Sequence, residues 1–133
     1  MDVRVELVQL LISELRDSQV IVLRERDGDR TLRIVIGAPE IHAINRRIRG
    51  EIPARPLTHD LLANVVSELG GDIERIVIHA LQEHTFFAKI VIRHLGSIVE
   101  VDSRPSDAIA LGVAGDVPIY VSEQVLEEAG EQA

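Results

Sequence analysis

The segment Val101–Leu111 reads VDSRPSDAIAL and places two carboxylates, a guanidinium, two hydroxyls and a proline in six consecutive positions. Asp102 and Asp107 carry hard oxygen ligands of the kind that Mg²⁺ and Mn²⁺ prefer. Arg104 can hold a phosphate through two parallel hydrogen bonds, beside the free N–H groups of a helix that starts here. These residue types together indicate phosphate and divalent-cation chemistry.

The same segment also has a purely structural interpretation. Ser103 can cap the following helix, Pro105 suits the first helical turn, and Asp107 is stabilised there by the helix dipole. This interpretation leaves Asp102 and Arg104 unassigned, except as a surface ion pair that contributes about 0 to 1 kcal/mol. Spacing alone leaves both interpretations open.

A second polar helix start lies at residues 55–62, which read RPLTHDLL. Thr58 is predicted to be the N-cap and Asp60 to favour the helix dipole, whereas the exposed imidazole of His59 has no structural explanation beyond solvation. If the two helix starts face each other, their side chains form a cluster that can bind Mg²⁺ or Mn²⁺ next to a phosphate. The cluster would contain His59, Asp60, Asp102 and Asp107, with Arg55 and Arg104 at the phosphate.

The charge balance restricts any contact with nucleic acid to a local one. The net charge is −8, which would repel a phosphate backbone at long range, and the aromatic content of 2% is too low for a stacking platform along a strand. One basic run interrupts the acidic composition, and it is either a solvated helix face or a landing patch for phosphates. It contains Arg46, Arg47, Arg49 and Arg55.

Length and composition predict a single domain over residues 1–133. The sequence contains no cysteine, so we expect a cytoplasmic protein without disulfides or thiolate metal ligands. No apolar run approaches the roughly 20 residues that cross a membrane, and the first residues alternate charge with Val and Leu instead of resembling a signal peptide. We therefore expect no membrane contact.

Hydrophobic periodicity predicts three strands, two helices, three strands, a helix, a short strand and a closing helix. Hairpins dominate this order, which favours an α+β fold with a mixed, mostly antiparallel sheet of about six or seven strands and four helices. The segments IVIGAPEIHAI and VEVDSRPSDAI are both a strand, a proline-containing turn and a helix start, about half a chain apart. This similarity suggests an internal duplication.

The two polar segments RPLTHDLL and VDSRPSDAIAL together resemble the signature of the bifunctional nuclease family, and the resemblance covers roughly residues 3–130. It implies a compact α+β domain with nuclease activity on RNA and DNA, described for plant members and extended by similarity to bacterial ones. The polar residues of the family motif correspond here to Arg55, His59, Asp60, Asp102, Ser103, Arg104, Ser106 and Asp107.

These observations lead to the hypothesis of a metal-assisted phosphodiesterase, a homo-oligomer such as a dimer, that acts on a nucleic acid substrate. The expected catalytic residues are His59, Asp60, Asp102 and Asp107. Asp102 and Asp107 would also bind Mg²⁺ or Mn²⁺. The expected substrate-binding residues are Arg55, Arg104, Ser103 and Ser106.

Two other functions remain open from the sequence. In the first, the chain is a non-enzymatic binding or regulatory module, the polar cluster is a structural network, and Asp102 pairs with Arg104. In the second, a helix start binds one small phosphate or carboxylate ligand. Binding of a nucleic acid would weaken steeply with salt, whereas binding of one small anion would change less.

Overall fold

Eight strands form one sheet in the computed structural model, which describes residues 1–132. The strands are β1 (Asp2–Leu11), β2 (Ser18–Glu25), β3 (Arg30–Gly37), β4 (Gly71–Gln82), β5 (Thr85–His94), β6 (Ser97–Ser103), β7 (Ile119–Ser122) and β8 (Glu131–Gln132). The helices are α1 (Ala38–Ile48), α2 (Thr58–Glu68), α3 (Pro105–Gly112) and α4 (Glu123–Ala129), and a short 3-10 turn follows α3 at Val113–Gly115.

The strand order across the sheet is β6-β5-β4-β7-β1-β2-β3-β8. Only the β4–β7 pair is parallel among the described strand pairs, and every other pair is antiparallel. The prediction of an α+β fold with a mixed, mostly antiparallel sheet and four helices is confirmed. The sheet has one strand more than expected because β8 pairs with β3 over two residues, too few to show a strand pattern in the sequence.

Two units of the chain have the same order of elements. In each unit three antiparallel strands form a meander and a helix follows: β1, β2, β3 and α1 in the first, β4, β5, β6 and α3 in the second. Both helices carry a proline in their first turn. β7 joins the units by pairing with β1 on one side and β4 on the other, an arrangement that agrees with the internal duplication suggested by the sequence.

The helix that carries the second polar segment is the most buried one. All residues of α3 except Asp107 are buried, whereas α2 has no buried residue. α3 lies close to β4 at Gly112, where an added Cβ would be 2.5 Å from Cδ1 of Ile76. The sheet and the core therefore fix α3 in place. No helix within residues 1–132 is long and apolar enough to cross a membrane.

Candidate functional site

The first turns of α2 and α3 lie side by side, as the sequence hypothesis required. His59 from α2 and Asp107 from α3 form a hydrogen bond of 3.0 Å between Nε2 and Oδ1. The side chains remain 14% and 33% exposed, so the pair is shielded but accessible. Two helix starts that are 48 residues apart in sequence thus share one polar cluster.

The start of α2 is capped differently from the prediction. Leu57 is the N-cap, and Thr58 is the first helical residue instead of the cap. The Asp60 carboxylate accepts a 3.0 Å hydrogen bond from the Leu57 backbone N–H, which is the return half of a capping box. The prediction that Thr58 caps the helix is wrong because the Asp60 carboxylate binds the N-cap N–H from inside the first turn.

The start of α3 also lacks the predicted cap. Arg104 is the N-cap, and the Ser103 hydroxyl donates a 2.8 Å hydrogen bond to the Arg104 carbonyl oxygen instead of accepting one from the helix. Pro105 is the first residue of the helix. Because proline has no backbone N–H, the first turn of α3 has one unpaired N–H group fewer. Ser103 is therefore not a helix cap, although its hydroxyl orients the residue before the helix.

Arg104 holds the Asp107 carboxylate in a two-point contact. Its Nε lies 2.8 Å from Oδ2 and its Nη2 lies 3.2 Å from Oδ1 of Asp107. Burial opposes ionisation of this carboxyl, but the hydrogen bonds from Arg104 and His59 outweigh it and hold the pKa of Asp107 below its ordinary value. The same contact raises the pKa of Arg104. Asp107 is thus an anion at neutral pH.

The ionised state of Asp107 fixes the protonation of its neighbour. An ionised carboxylate only accepts hydrogen bonds, so Nε2 of His59 must carry the proton of their shared bond. In the neutral imidazole, the remaining lone pair then lies on Nδ1. The arrangement produces an oriented imidazole with one nitrogen able to take up a proton.

Arg47 joins the helices behind this cluster. Its Nε donates to the Ala110 carbonyl oxygen at 2.6 Å, and its Nη2 donates to the Leu111 carbonyl oxygen at 3.3 Å. Its Nη1 pairs with Asp60 Oδ1 at the start of α2. The basic run is therefore not uniformly a solvated face, because the Arg47 side chain is only 9% exposed.

The Asp60 carboxylate is part of this junction between the helices. The Leu57 N–H and the Arg47 guanidinium together hold the pKa of the Asp60 carboxyl below its ordinary value, in spite of partial burial. Asp60 is the residue after His59, so its contact with Arg47 also fixes where the His59 backbone lies relative to α3. Asp60 was predicted to be catalytic, and its carboxylate contacts Arg47 and the Leu57 N–H at the start of α2.

A cavity of about 400 Å³ opens beside the His59–Asp107 pair. His59, Arg104 and Asp107 line it together with Arg46, whose buried Nε has no hydrogen-bond partner among the described residues. Arg46 is a site residue that the motif analysis did not select. The helical spacing of α1 could have indicated this residue. Pro39, Ala43 and Arg46 follow one another at i, i+4 and i+7, so they share one face of the helix, and all three line the cavity.

The other predicted residues lie outside this cavity. Asp102 is exposed on the edge strand β6, and its side chain forms no hydrogen bond or salt bridge within residues 1–132. It lies opposite Lys89 in the register, but Lys89 pairs with Glu100. Arg55 is exposed in the connection before α2 and also has no polar contact in the described part of the chain. Ser106 is buried and lines a neighbouring cavity.

The donor set does not fit a resident divalent cation. No group of three or more acidic or histidine side chains within residues 1–132 is arranged to hold a metal. His59 and Asp107 bring two donors together, and both oxygens of Asp107 already accept hydrogen bonds from Arg104 and His59. Geometry thus lends no support to the expected sharing of one ion by Asp102 and Asp107.

Comparison with known proteins identifies the family. A model of the bifunctional nuclease domain matches residues 21–133, which include both polar helix starts. The chain belongs to the bifunctional nuclease domain family.

Relatives of this bifunctional nuclease domain occur in bacteria and plants. It is 40% identical over 126 residues to an uncharacterized protein of Mycobacterium tuberculosis, covering 95% of this chain and 75% of that protein. It is 29% identical over 124 residues to Bifunctional nuclease 2 of Oryza sativa subsp. japonica, covering 90% of this chain but 38% of the rice protein. The match to Bifunctional nuclease 2 of Arabidopsis thaliana is 28% over 115 residues and covers 35% of that protein.

The two lowered carboxyl pKa values predict that the domain loses stability in acid. Folding favours the ionised forms of Asp60 and Asp107, so their contribution is complete above the unfolded pKa of about 3.9 and is lost as pH falls through the lower folded values. We expect the free energy of unfolding, measured with urea, to fall between about pH 5 and pH 2. In the Asp60→Asn variant this fall should be smaller, and an unchanged pH dependence would contradict the assignment.

Proposed function

We propose that this domain hydrolyses phosphodiester bonds in RNA and DNA. The observation that carries the proposal is the His59–Asp107–Arg104 cluster at the mouth of a cavity, in a chain that belongs to the bifunctional nuclease domain family. The cluster combines a proton acceptor, an anion that orients it and a cation able to bind phosphate. The plant relatives named as bifunctional nucleases support the same reaction class.

His59 is the general base of the proposed reaction. Its Nε2–H bond to Asp107 leaves Nδ1 to accept a proton from the water that attacks phosphorus. The ionised carboxylate of Asp107 then stabilises the imidazolium that forms. The leaving oxygen lies on the opposite side of phosphorus from the attacking water, so it takes its proton from solvent, and the imidazolium returns its own proton to solvent afterwards.

Arg46 and Arg104 hold the phosphate in this proposal. Arg104 uses Nε and Nη2 on Asp107, and its Nη1 makes no hydrogen bond with the described residues. The Arg46 side chain lines the same cavity, and its buried Nε has no hydrogen-bond partner among the described residues. Two guanidinium groups at this position would offset the charge that develops on the phosphoryl oxygens. In this role Arg46 replaces Arg55, which the sequence had suggested.

The participation of a divalent cation stays a prediction from the carboxylate side chains of the two polar segments. His59 and Asp107 supply too few free donor atoms to hold a resident cation. The steps proposed for His59, Asp107 and the two arginines therefore do not depend on a cation. A cation that arrives with the substrate phosphates would need few protein ligands, as Mg²⁺ often does. Mg²⁺ and Mn²⁺ therefore belong in the assay as variables.

The test is cleavage of end-labelled single-stranded RNA and DNA by the purified protein with Mg²⁺, with Mn²⁺ or with EDTA. The proposal expects both polymers to be cut. Cleavage that persists in EDTA would support catalysis by the side chains alone, and cleavage that EDTA abolishes would support the predicted cation. No cleavage of either polymer under any condition would refute the proposal and favour the binding module.

The binding-module alternative predicts that Asp102 pairs with Arg104 and that the cluster has no open coordination position. Arg104 instead pairs with Asp107, and Asp102 has no polar partner within residues 1–132. This contact lies at the cavity and not on the edge strand, which favours the enzymatic interpretation of the cluster.

We also propose that the chain forms a homo-oligomer. Leu61 and Val65 on α2 and Leu69 at its C-cap follow one another at i, i+4 and i+8 and are 55%, 44% and 70% exposed. Such a stripe on a helix is typical of an association surface. Light scattering after size-exclusion chromatography would measure the mass in solution, and a monomer at all concentrations would contradict this proposal.

A further inference from the structure

A second cavity adjoins the first at Arg104, which lines both cavities. It has a volume of about 300 Å³ and lies between the end of β3, the β4–β5 turn and the start of α3. Arg104 and Glu40 line both cavities, so one continuous surface connects them. A polymer whose phosphate lies at Arg104 would therefore have a neighbouring group at the second cavity.

The walls of this second cavity combine apolar surface with hydroxyl groups. Ile34, Ile36 and Phe86 provide the apolar part, and Phe86 is one of three aromatic residues in the chain. Ser106 also lines the cavity from the first turn of α3 and is 5% exposed as a residue. Its hydroxyl can donate one hydrogen bond and accept others, so the cavity offers a ligand both an apolar wall and a polar group.

We propose that the second cavity binds one unpaired nucleobase of the strand that the first cavity cleaves, an inference that rests on the proposed function. The base stacks against the Phe86 ring, and the Ser106 hydroxyl forms a hydrogen bond with its edge. The scissile phosphate lies at Arg104, between the two cavities. The volume is at the lower end of the range for small-ligand sites, which suits one flat ring better than a stacked pair.

This assignment determines which strands can be substrates. A base held in a duplex is stacked and paired, so it must leave the helix before it can contact Phe86. Stacking on an aromatic ring tolerates every base because each has a π-face. The domain should therefore prefer single strands over duplexes and should show little sequence preference.

The experiment measures binding, so it does not depend on turnover. Fluorescence anisotropy gives the Kd of a labelled single-stranded hexadeoxynucleotide and of the same strand with abasic units throughout, and a gel verifies that the strand stays intact. The proteins are the wild type, Phe86→Leu, Ser106→Ala and the control Phe87→Leu. Phe87 is next to Phe86 on β5, so its side chain points to the opposite face of the sheet and does not line the cavity.

The wild type should bind the intact strand ~10-fold or more tightly than the abasic strand, as expected for base stacking. Phe86→Leu should weaken binding of the intact strand by a similar factor and leave the abasic strand unchanged. Ser106→Ala should weaken only the intact strand, by about 3- to 10-fold. The Ser106→Ala variant also tests the inference if the Phe86→Leu variant fails to fold. Phe87→Leu should match the wild type.

Equal affinity for intact and abasic strands would overturn the inference, as would losses in Phe86→Leu or Ser106→Ala that are the same for both strands. These outcomes differ from failure of the proposed function. Base-dependent binding without cleavage would support the base site and refute the nuclease. Cleavage that depends on His59 but occurs equally on abasic strands would support the nuclease and refute the base site.

Discussion

Replacing His59 with asparagine is expected to lower the cleavage rate of labelled single-stranded RNA and DNA by about 10²- to 10⁴-fold, the usual contribution of a positioned general base. Asparagine has no nitrogen that can accept a proton near neutral pH, so the Asp107 carboxylate would have no base to orient. The measurement is the single-turnover rate at saturating enzyme, because it isolates the chemical step from product release.

His42 offers the matched control for this variant. It is exposed on α1 and does not line the cavity, so His42→Asn should cleave at the wild-type rate. A His59→Asn rate within about threefold of the wild type would exclude His59 as the base.

The second large effect concerns stability. Replacing Arg47 with methionine should lower the free energy of unfolding by about 3 kcal/mol, because it leaves Asp60 and two helix carbonyls without their partner. Urea unfolding at pH 7 measures this change. Arg49→Ala is the control at the C-cap of the same helix, since Arg49 is 64% exposed and contacts Glu51 only at 4.0 Å. That variant should change the free energy by no more than about 0.5 kcal/mol.

Arg47 should also influence catalysis without contacting the substrate. It ties Asp60 at the start of α2 to the end of α3, and this tie sets how the neighbouring His59 meets Asp107. In folded Arg47→Met protein at low temperature, we expect a lower cleavage rate than in the wild type. A stability change below about 1 kcal/mol would contradict the interpretation of Arg47 as a buried junction.

Local sequence patterns were sufficient for the elements of the fold but not for the order of its strands. Alternating hydrophobic residues predicted the strands of both meanders, and these pair with their neighbours in the chain. β7 lies between β1 and β4, and its partners are more than 40 residues away. Such pairings depend on tertiary packing, which a strand of four residues does not encode locally.

The candidate site was predictable to a similar extent. The density of polar groups at two helix starts pointed to His59, Arg104 and Asp107, and the structure brings these three together. The sequence grouped Asp102 with them because it is close in the chain. Asp102 belongs to the edge strand β6, however, whereas Asp107 lies in the first turn of the following helix α3. Proximity in sequence therefore did not show that the two carboxylates lie in different surroundings.

Arg46 and Arg47 illustrate the opposite error. They are adjacent in the basic run, and the sequence analysis assigned the whole run one common role, either a solvated face or a phosphate patch. On a helix, successive residues point about 100° apart, so the two guanidinium groups serve different neighbours. Arg46 lines the cavity, while Arg47 binds Asp60 and the end of α3.

The most direct test of the central claim compares two carboxylates that the sequence treated alike. Single-turnover cleavage of single-stranded RNA should be measured for the wild type, Asp107→Asn and Asp102→Asn, after circular dichroism has verified that each variant is folded. We predict a loss of about 10²-fold or more for Asp107→Asn, because an amide cannot stabilise the His59 imidazolium as a carboxylate does, and wild-type activity for Asp102→Asn. Equal rates for Asp107→Asn and the wild type, or a large loss in Asp102→Asn, would contradict the account.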